Sequence, residues 1–375
     1  MNGFEKLLII TSEFPPGPGG IGTQAFNISK YFSLNNFNGT VITVSDYTDD
    51  LTSGKFDKEQ NFEIIRFKRY KSRLKTFSGR IDKIKSILAD REFDKIIFSG
   101  RFSIYASLFL KKFHKNKKFI TVVHGTDVNA ENPIENYFIG KALRRMDLLI
   151  PVSKYSGSKL PAELKNEKIK IIPNGFDLEG IDKFVIKEKS IPSGRLNLIT
   201  VGSVSPRKGQ HNILKAFQKI LGYFPYAKYY MVGRNADDSK ISGLMNSEFV
   251  KERVILTGQV SNEELYTILE NSDIFILLSE VQKSGSIEGF GIAILEANYF
   301  GLPAIGSKSS GIADAIDDGK SGMLVEPGNE DEIAESVKII VNNYAEFSKH
   351  AVEWAEKHHW SKIIKRYISA FKSLN

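Results

Sequence analysis

Two carboxylates, Glu288 and Glu296, stand eight residues apart in the stretch Ser284–Ser307, SGSIEGFGIAILEANYFGLPAIGS. A paired carboxylate could serve glycoside hydrolysis, which needs the two groups within ~5–10 Å across one bond. Eight helical residues at ~1.5 Å each would instead separate them by about 12 Å, which better suits gripping two ends of one extended ligand. The plain alternative is a surface loop followed by an ordinary exposed helical glutamate. Gly285, Gly289 and Gly291 precede the apolar run, and glycine admits unusual dihedrals and close approach of a ligand to the backbone. From Ile292 the pattern IAILEANYF is helical and stops at Gly301 with Pro303 beyond. Glu288 is therefore expected in a loop at a helix N-terminus, where free N–H groups and the helix dipole favour anionic or hydroxyl-rich ligands.

Further groups with chemical potential each follow an apolar, strand-like run. In VGSVSPRKGQHNILKAF (201–217) a strand gives way to Pro206, then Arg207, Lys208 and Gly209, then a helix. Two cations at a helix start stabilise a diphosphate, and a departing diphosphate more strongly, because its charge grows as the bond breaks. An Arg-Lys surface turn is the bland alternative. His124 in VVHGTDV could donate to a sugar hydroxyl or a phosphate, although a core or capping histidine has the same signature; Asp127 could cap the following turn. In Glu13–Gly22, EFPPGPGGIG, the residues Gly17, Gly19 and Gly22 formally satisfy GxGxxG, with Asp46 closing the next strand. A dinucleotide turn begins at the strand end, however, whereas Phe14, Pro15 and Pro16 intervene here and Pro18 stiffens the loop. Gly19 and Gly20 are better read as a flexible lip over a ligand. In TGQV (257–260) the backbone of Val260 could pair with a nucleobase edge.

Composition narrows the chemistry. The 375 residues are 41% hydrophobic and 26% charged, ordinary for globular domains, and exceed what one core usually serves. Zero cysteines exclude disulfides, thiol nucleophiles and cysteine metal sites, and agree with a reducing compartment. No apolar run approaches the ~20 residues of a membrane span, and MNGFEKLLIITSEF leads directly into a strand-like segment instead of a signal peptide. The net charge of +8 is uneven: residues 1–190 hold 32 Lys+Arg and 22 Asp+Glu, a net of +10, leaving 20 basic and 22 acidic residues in the remainder, a net of −2. Arg66–Lys75, RFKRYKSRLK, carries six basic residues in ten, and Lys111–Lys118, KKFHKNKK, forms a second cluster. Such clusters suit an anionic membrane surface or a phosphate-bearing partner; a solvated helix face and loop is the alternative. Nucleic acid is disfavoured, since no recognition-helix or RNA-binding signature accompanies the charge.

Positioning these groups requires two sets of strands. In the first half, runs at 6–12, 40–46, 62–68, 95–100, 119–125, 148–153 and 169–173 read as strands, alternating with helical patterns from about Thr23 and over 76–90, 101–114 and 135–146. The alternation restarts with strands at 196–202, 227–233, 254–259, 274–279, 302–307 and 322–327, and helices near 208–222, 261–271, 291–300, 330–343 and 345–358. Unbroken Val/Ile runs between helices predict parallel strands buried on both faces, hence two α/β Rossmann-like domains. The polar segment 182–194 is the expected linker. Ligands of such sheets lie beyond the strand C-termini, so two facing domains would make one central cleft.

Taken together, FPPGPGGIG, HGTD, IPNGFD (172–177), VGSVSPRKG, the EGFGIAILE stretch and the closing HHWSKIIKRYISAF (358–371) make the chain resemble glycosyltransferase family 4, retaining nucleotide-sugar glycosyltransferases of the GT-B fold. The resemblance runs almost end to end. It implies an N-terminal acceptor domain over 1–188, joined by a crossover helix in 359–375, and a C-terminal donor domain over 189–358. It also implies roles: Glu288 on donor-sugar hydroxyls, the Phe290–Ile292 backbone on sugar and phosphates, Glu296 on the ribose, and Val260 on the base. Lys208, helped by Arg207, would neutralise the diphosphate; Gly19 and Gly20 would close over it, and His124 would contact the sugar. No cofactor or metal is implied. Many relatives carry Arg where this chain has Ser203, with Arg207 the candidate substitute. The expected activity moves a hexose-type sugar from a nucleoside diphosphate to an acceptor hydroxyl with retained configuration, on a saccharide or lipid-linked acceptor of polysaccharide, lipopolysaccharide or glycolipid assembly, in the cytoplasm or at the inner membrane face. A nucleotide-sugar epimerase of the same fold and a non-catalytic sugar-nucleotide-binding subunit are the alternatives.

Overall fold

The structure, a computed structural model, describes residues 5–45, 49–68, 70–110, 113, 117–164, 166–181, 183–184, 191, 195–234, 239–246, 248–282 and 287–374. The chain divides into two compact units, residues 1–172 with 360–375, and residues 173–359.

The first unit alternates β1 (Glu5–Thr11), α1 (Gly20–Ser33), β2 (Phe37–Val44), α2 (Asp50–Lys58), β3 (Glu63–Phe67), α3 (Arg73–Asp90), β4 (Lys95–Ser99), α4 (Arg101–Ser107), β5 (Lys118–Val123), α5 (Pro133–Leu143), β6 (Leu148–Pro151) and α6 (Lys154–Ser158). Its six strands pair in parallel in the order β3-β2-β1-β4-β5-β6. Leu8, Ile10, Ile96, Phe98 and Ile120 are fully buried, as Val/Ile-rich strands covered by helices on both faces must be. Each such side chain contributes roughly 1.5–3 kcal/mol when removed from water.

The second unit repeats the plan with β7 (Arg195–Val201), α7 (Gln210–Tyr223), β8 (Tyr226–Val232), α8 (Ser239–Met245), α9 (Glu248–Lys251), β9 (Val254–Gly258), α10 (Asn262–Glu270), β10 (Ile274–Leu277), α11 (Ile292–Tyr299), β11 (Ala304–Ser307), β12 (Gly322–Val325), α12 (Glu330–Asn342) and α13 (Tyr344–Lys357). The parallel order is β12-β11-β10-β7-β8-β9. Read outward from β7, this is the order of the first sheet. Each sheet therefore has one switch point, between β1 and β4 or between β7 and β10, where a dinucleotide-type fold opens a crevice beyond the strand ends. The last helix, α14 (Trp360–Lys372), belongs to the first unit, where Trp360 stacks on Tyr31 and Phe371 on Phe32 of α1.

The units part at 172/173 and 359/360, not at the expected 188/189 and 358/359. Phe176 accounts for the first difference: its ring lies 5.4 Å from Tyr299 and 6.0 Å from His359, within the second unit. Most of the expected linker, 182–194, lies outside the described residues, as do Asp46, Gly285 and much of Lys111–Lys118. The run 169–173 is not a strand. It makes a single bridge, Leu149 to Ile169, because Pro151 of β6 accepts from the Ile172 N–H but has no N–H to return. Helix α1 starts at Gly20, earlier than Thr23, and α2 is an element the periodicity did not announce; α4 ends at Ser107 and passes into a 3-10 turn over 108–110, while residues 111, 112 and 114 of the expected helix lie outside the described residues.

Candidate active site

At the switch point of the second sheet, the loop after β7 is built around glycines that cannot be replaced without clash. Gly202, at φ +139°, leaves the space through which Lys208 passes: a Cβ there would lie 3.0 Å from Lys208 Cε. Pro206–Lys208 form one 3-10 turn, and Gly209 follows at φ +74°, with the Leu278 carbonyl oxygen only 1.8 Å from where a Cβ would sit. Gln210, buried at the start of α7, fixes the turn from inside, accepting from the Ser205 N–H at 3.2 Å and donating to the Ser203 carbonyl at 3.2 Å. Ser203 thus presents its backbone to the loop, and Arg207 is the guanidinium the loop supplies.

The loop after β10 is tied to that turn. The Ser279 hydroxyl donates to the Arg207 carbonyl at 2.6 Å and accepts from the Glu288 N–H at 3.3 Å. Gly311 donates to the Glu288 carbonyl at 3.2 Å, and a Cβ on Gly311 would lie 1.9 Å from the Gly289 oxygen. These contacts bring one carboxylate oxygen of Glu288 to 2.6 Å from Arg207 Nη1 and 2.7 Å from Lys208 Nζ. Burial pushes the Glu288 carboxyl up, but the Lys208 and Arg207 charges, with their hydrogen bonds, outweigh it and hold the group below the usual range. Arg207, Lys208 and Glu288 are therefore one cluster, because β7 and β10, whose loops carry them, are neighbours in the sheet.

Gly291, at φ +88°, caps α11, Ile292 opens that helix, and Phe290 is buried with its ring 6.3 Å from His358. Because α11 begins only at Ile292, half of the Glu288–Glu296 interval is loop, and the eight-residue helical spacing does not hold. Burial pushes the Glu296 carboxyl up to about 7, and burial together with the Glu296 charge pushes the Tyr266 phenol up to about 12. Val260 lies beyond β9, two strands away from β7 at the sheet edge, ahead of the Ser261–Glu264 capping box, and makes no hydrogen bond to the cluster among the described residues. Sequence reasoning passed over Gln210, Ser279 and Gly311. Their signals, a polar residue at a strand end and glycine before a turn, are too common to single them out.

In the first unit, His124 follows β5. Its Nε2 lies 3.2 Å from Ser99 Oγ at the end of β4, and burial pushes the imidazole down to about 4, so it is neutral at pH 7. Asp127 accepts from the His124 and Gly125 N–H groups at 3.0 Å each, holding the histidine backbone in place; burial pushes its carboxyl up to about 6 against the lowering effect of these bonds. Gly19 caps α1 at φ +135°, with a Glu13 carboxylate oxygen 2.0 Å from where a Cβ would be, while Gly20 has open space. Arg66 is committed to this loop: it pairs with Asp57 at 2.8 Å and donates to the Pro15 carbonyl. That removes it from the basic surface, where Lys71 and Lys75 remain exposed; Lys117 of the second basic cluster pairs with Glu92 at 3.4 Å.

The family described as "Glycosyl transferases group 1" matches residues 182–358, and "Glycosyltransferase Family 4" matches residues 18–179. The chain is 24% identical over 345 residues, 89% of its length and 88% of the relative's, to a GDP-mannose-dependent monoacylated α-(1-6)-phosphatidylinositol monomannoside mannosyltransferase of Corynebacterium glutamicum. It is 26% identical over 235 residues, 62% of this chain and 55% of the relative, to the putative colanic acid biosynthesis glycosyltransferase WcaL of Salmonella typhimurium. Among solved structures, Anabaena HepE in complex with UDP and glucose superposes with a TM-score of 0.75 over 98% of this chain and 100% of that one at 18% identity, a likeness of fold.

Proposed function

Because the chain belongs to glycosyltransferase family 4, we propose that its second unit binds a nucleoside-diphosphate sugar at the Arg207–Lys208–Glu288 cluster and that the sugar is transferred with retention of configuration. The observation that carries this reading is the pair of cations held within 2.7 Å of one carboxylate oxygen beside the switch point of a Rossmann sheet. Two positive charges on a loop held by backbone contacts are already close together, and once the diphosphate has taken them from Glu288 they stand where its charge develops. They supply what a divalent metal would supply, so the transfer is read as metal-independent, and turnover should survive EDTA.

Glu288, the Phe290–Ile292 backbone and Glu296 follow one another along loop and helix. That succession suits sugar hydroxyls, phosphates and ribose in the same order, with Val260 reserved for the base. Glu288 is a poor nucleophile while two cations hold its charge, so a glycosyl-enzyme intermediate is not invoked. Instead the acceptor oxygen attacks the anomeric carbon from the face the phosphate leaves, the C–O bond to phosphate breaks, and the acceptor proton passes to the leaving phosphate oxygen. In the first unit, the neutral His124 and the open turn at Gly20 are offered to hydroxyl-bearing ligands.

The acceptor class is inferred from the relatives' names, which include a phosphatidylinositol mannoside transferase and a colanic acid enzyme. A lipid-linked or saccharide acceptor of envelope assembly follows, with the protein working at the cytoplasmic membrane face. Among the described residues no helix is long and apolar enough to cross a membrane, so attachment would be peripheral, through the basic first unit. A thermal-shift screen against UDP-, GDP-, ADP- and dTDP-sugars tests the donor, since a native-state ligand raises the midpoint by mass action. No shift with any of them overturns donor binding. An epimer formed from donor alone, or binding without turnover on any acceptor, returns the alternatives.

A further inference from the structure

Away from the switch points, helices α3, α4 and α5 of the first unit surround a cavity of about 420 Å³. That is within the ~300–1,000 Å³ of small-ligand sites. Phe77, Tyr105, Leu108, Phe109 and Phe138 line it, with Lys141 and Arg145, one turn apart at the end of α5, supplying the cations. The lining is held by its own contacts: Phe77 meets Phe102 and Phe109 edge-on at 5.5 Å each, and Arg145 is anchored through a donated hydrogen bond to the Leu108 carbonyl at 3.2 Å. No acidic side chain pairs with Lys141 among the described residues.

Two of the lining residues are also exposed, Phe109 at 50% and Phe138 at 42%; one turn before lining residues on the same helices, Leu74 on α3 is 83% exposed and Ile134 on α5 is 67% exposed. Apolar side chains grouped around a recess mark an interaction surface, where single exposed ones do not. Tyr70 and Tyr137 are exposed nearby in sequence, and Lys71 and Lys75 continue the positive charge at the start of α3. Aliphatic tips, amphipathic aromatic rings and exposed lysines together are the composition of a surface seated at a lipid headgroup boundary.

We propose that this cavity takes one hydrocarbon chain of an anionic membrane phospholipid, with the headgroup phosphate at Lys141 and the exposed apolar rim of α3 and α5 in the bilayer interface. A flat apolar patch would serve a protein partner equally well. A concave aromatic slot with cations on one side matches an amphipathic anion instead. The proposal rests on the peripheral-membrane reading above and gives it a site.

The test uses the full-length chain carrying Phe109→Trp, mixed with vesicles of phosphatidylcholine alone or with phosphatidylglycerol, with bromine on the acyl chains of one lipid at a time. The expected result is binding to the anionic vesicles with quenching of the added indole by chain-brominated phosphatidylglycerol. The unsubstituted protein, whose own indoles are the buried Trp360 and the half-buried Trp354 of the second unit, sets the background. Phe138→Asp should weaken vesicle binding by roughly tenfold or more, and Lys141→Glu by about fivefold or more. Both should keep the nucleotide-sugar thermal shift, which shows that they fold. Vesicle binding without indole quenching, or unaffected by either substitution, overturns the cavity while the membrane reading stands, and gives the slot to a protein or a soluble aromatic anion. No binding of the unsubstituted protein to anionic vesicles overturns both.

Discussion

Lys208 and Arg207 close on a single oxygen of Glu288, so a diphosphate bound as proposed would compete with that carboxylate for the same two cations. Glu288→Gln should then bind free nucleoside diphosphate more tightly while transferring sugar more slowly, a split that calorimetry and turnover measured side by side would show. Lys208→Ala removes a fixed positive charge from the leaving group and should lower kcat by about 10²–10³-fold; near-native turnover would refute its role. Glu296 titrates at about 7 instead of in the usual carboxylate range because it is buried. Its folded pKa lies above its unfolded value, so the folded state loses stability as pH rises from the ordinary range through about 7. If the ionised form accepts from ribose hydroxyls, donor affinity should rise over the same interval, and Glu296→Gln should flatten both profiles. A pH titration of donor binding that is unchanged by the substitution would separate Glu296 from the ribose.

At the scale of elements, the active cluster depends on two loops that follow adjacent strands and touch through backbone. Gly209 is where they come closest, and a side chain there would meet the Leu278 carbonyl at 1.8 Å while holding φ at +74°. Gly209→Ala should cost at least about 2–3 kcal/mol and weaken donor binding, because relieving the clash moves the Arg-Lys turn away from β10. The measurement is a melting midpoint together with a donor titration, and retention of both would show that the loops have slack. Ser279 joins the same loops by hydrogen bonds to each. Ser279→Ala should disturb transfer more than stability, since the Arg207 carbonyl keeps the Glu280 N–H as a donor.

At the scale of the whole molecule, the first unit is completed by the last stretch of chain. Trp360, Tyr367 and Phe371 of α14 are buried, and Trp360 and Phe371 stack on Tyr31 and Phe32 of α1, more than 300 residues earlier. Trp360→Ala removes the largest of these side chains and should cost roughly 3–5 kcal/mol. Because a chain of two units need not melt in one step, hydrogen exchange is the suitable measurement. Protection should fall in α1 and α14 and persist in β7, β8 and β10.

The two α/β units, their parallel strands and the placing of Arg207, Lys208 and Glu288 in loops just after strands were legible in the chain itself, because strands buried on both faces read as continuous Val/Ile runs and each of these groups follows one. The false strand at 169–173 shows the limit of that signal: the apolar run is present, but Pro151 on its neighbour has no N–H to give, and a pairing partner is not a property of the run. The order of the strands, the engagement of Arg66 by Asp57 and Pro15, and the convergence of two cations on one Glu288 oxygen were decided only by the tertiary structure. Each depends on which distant segments meet, and local propensity says what a segment can be without saying what it will face.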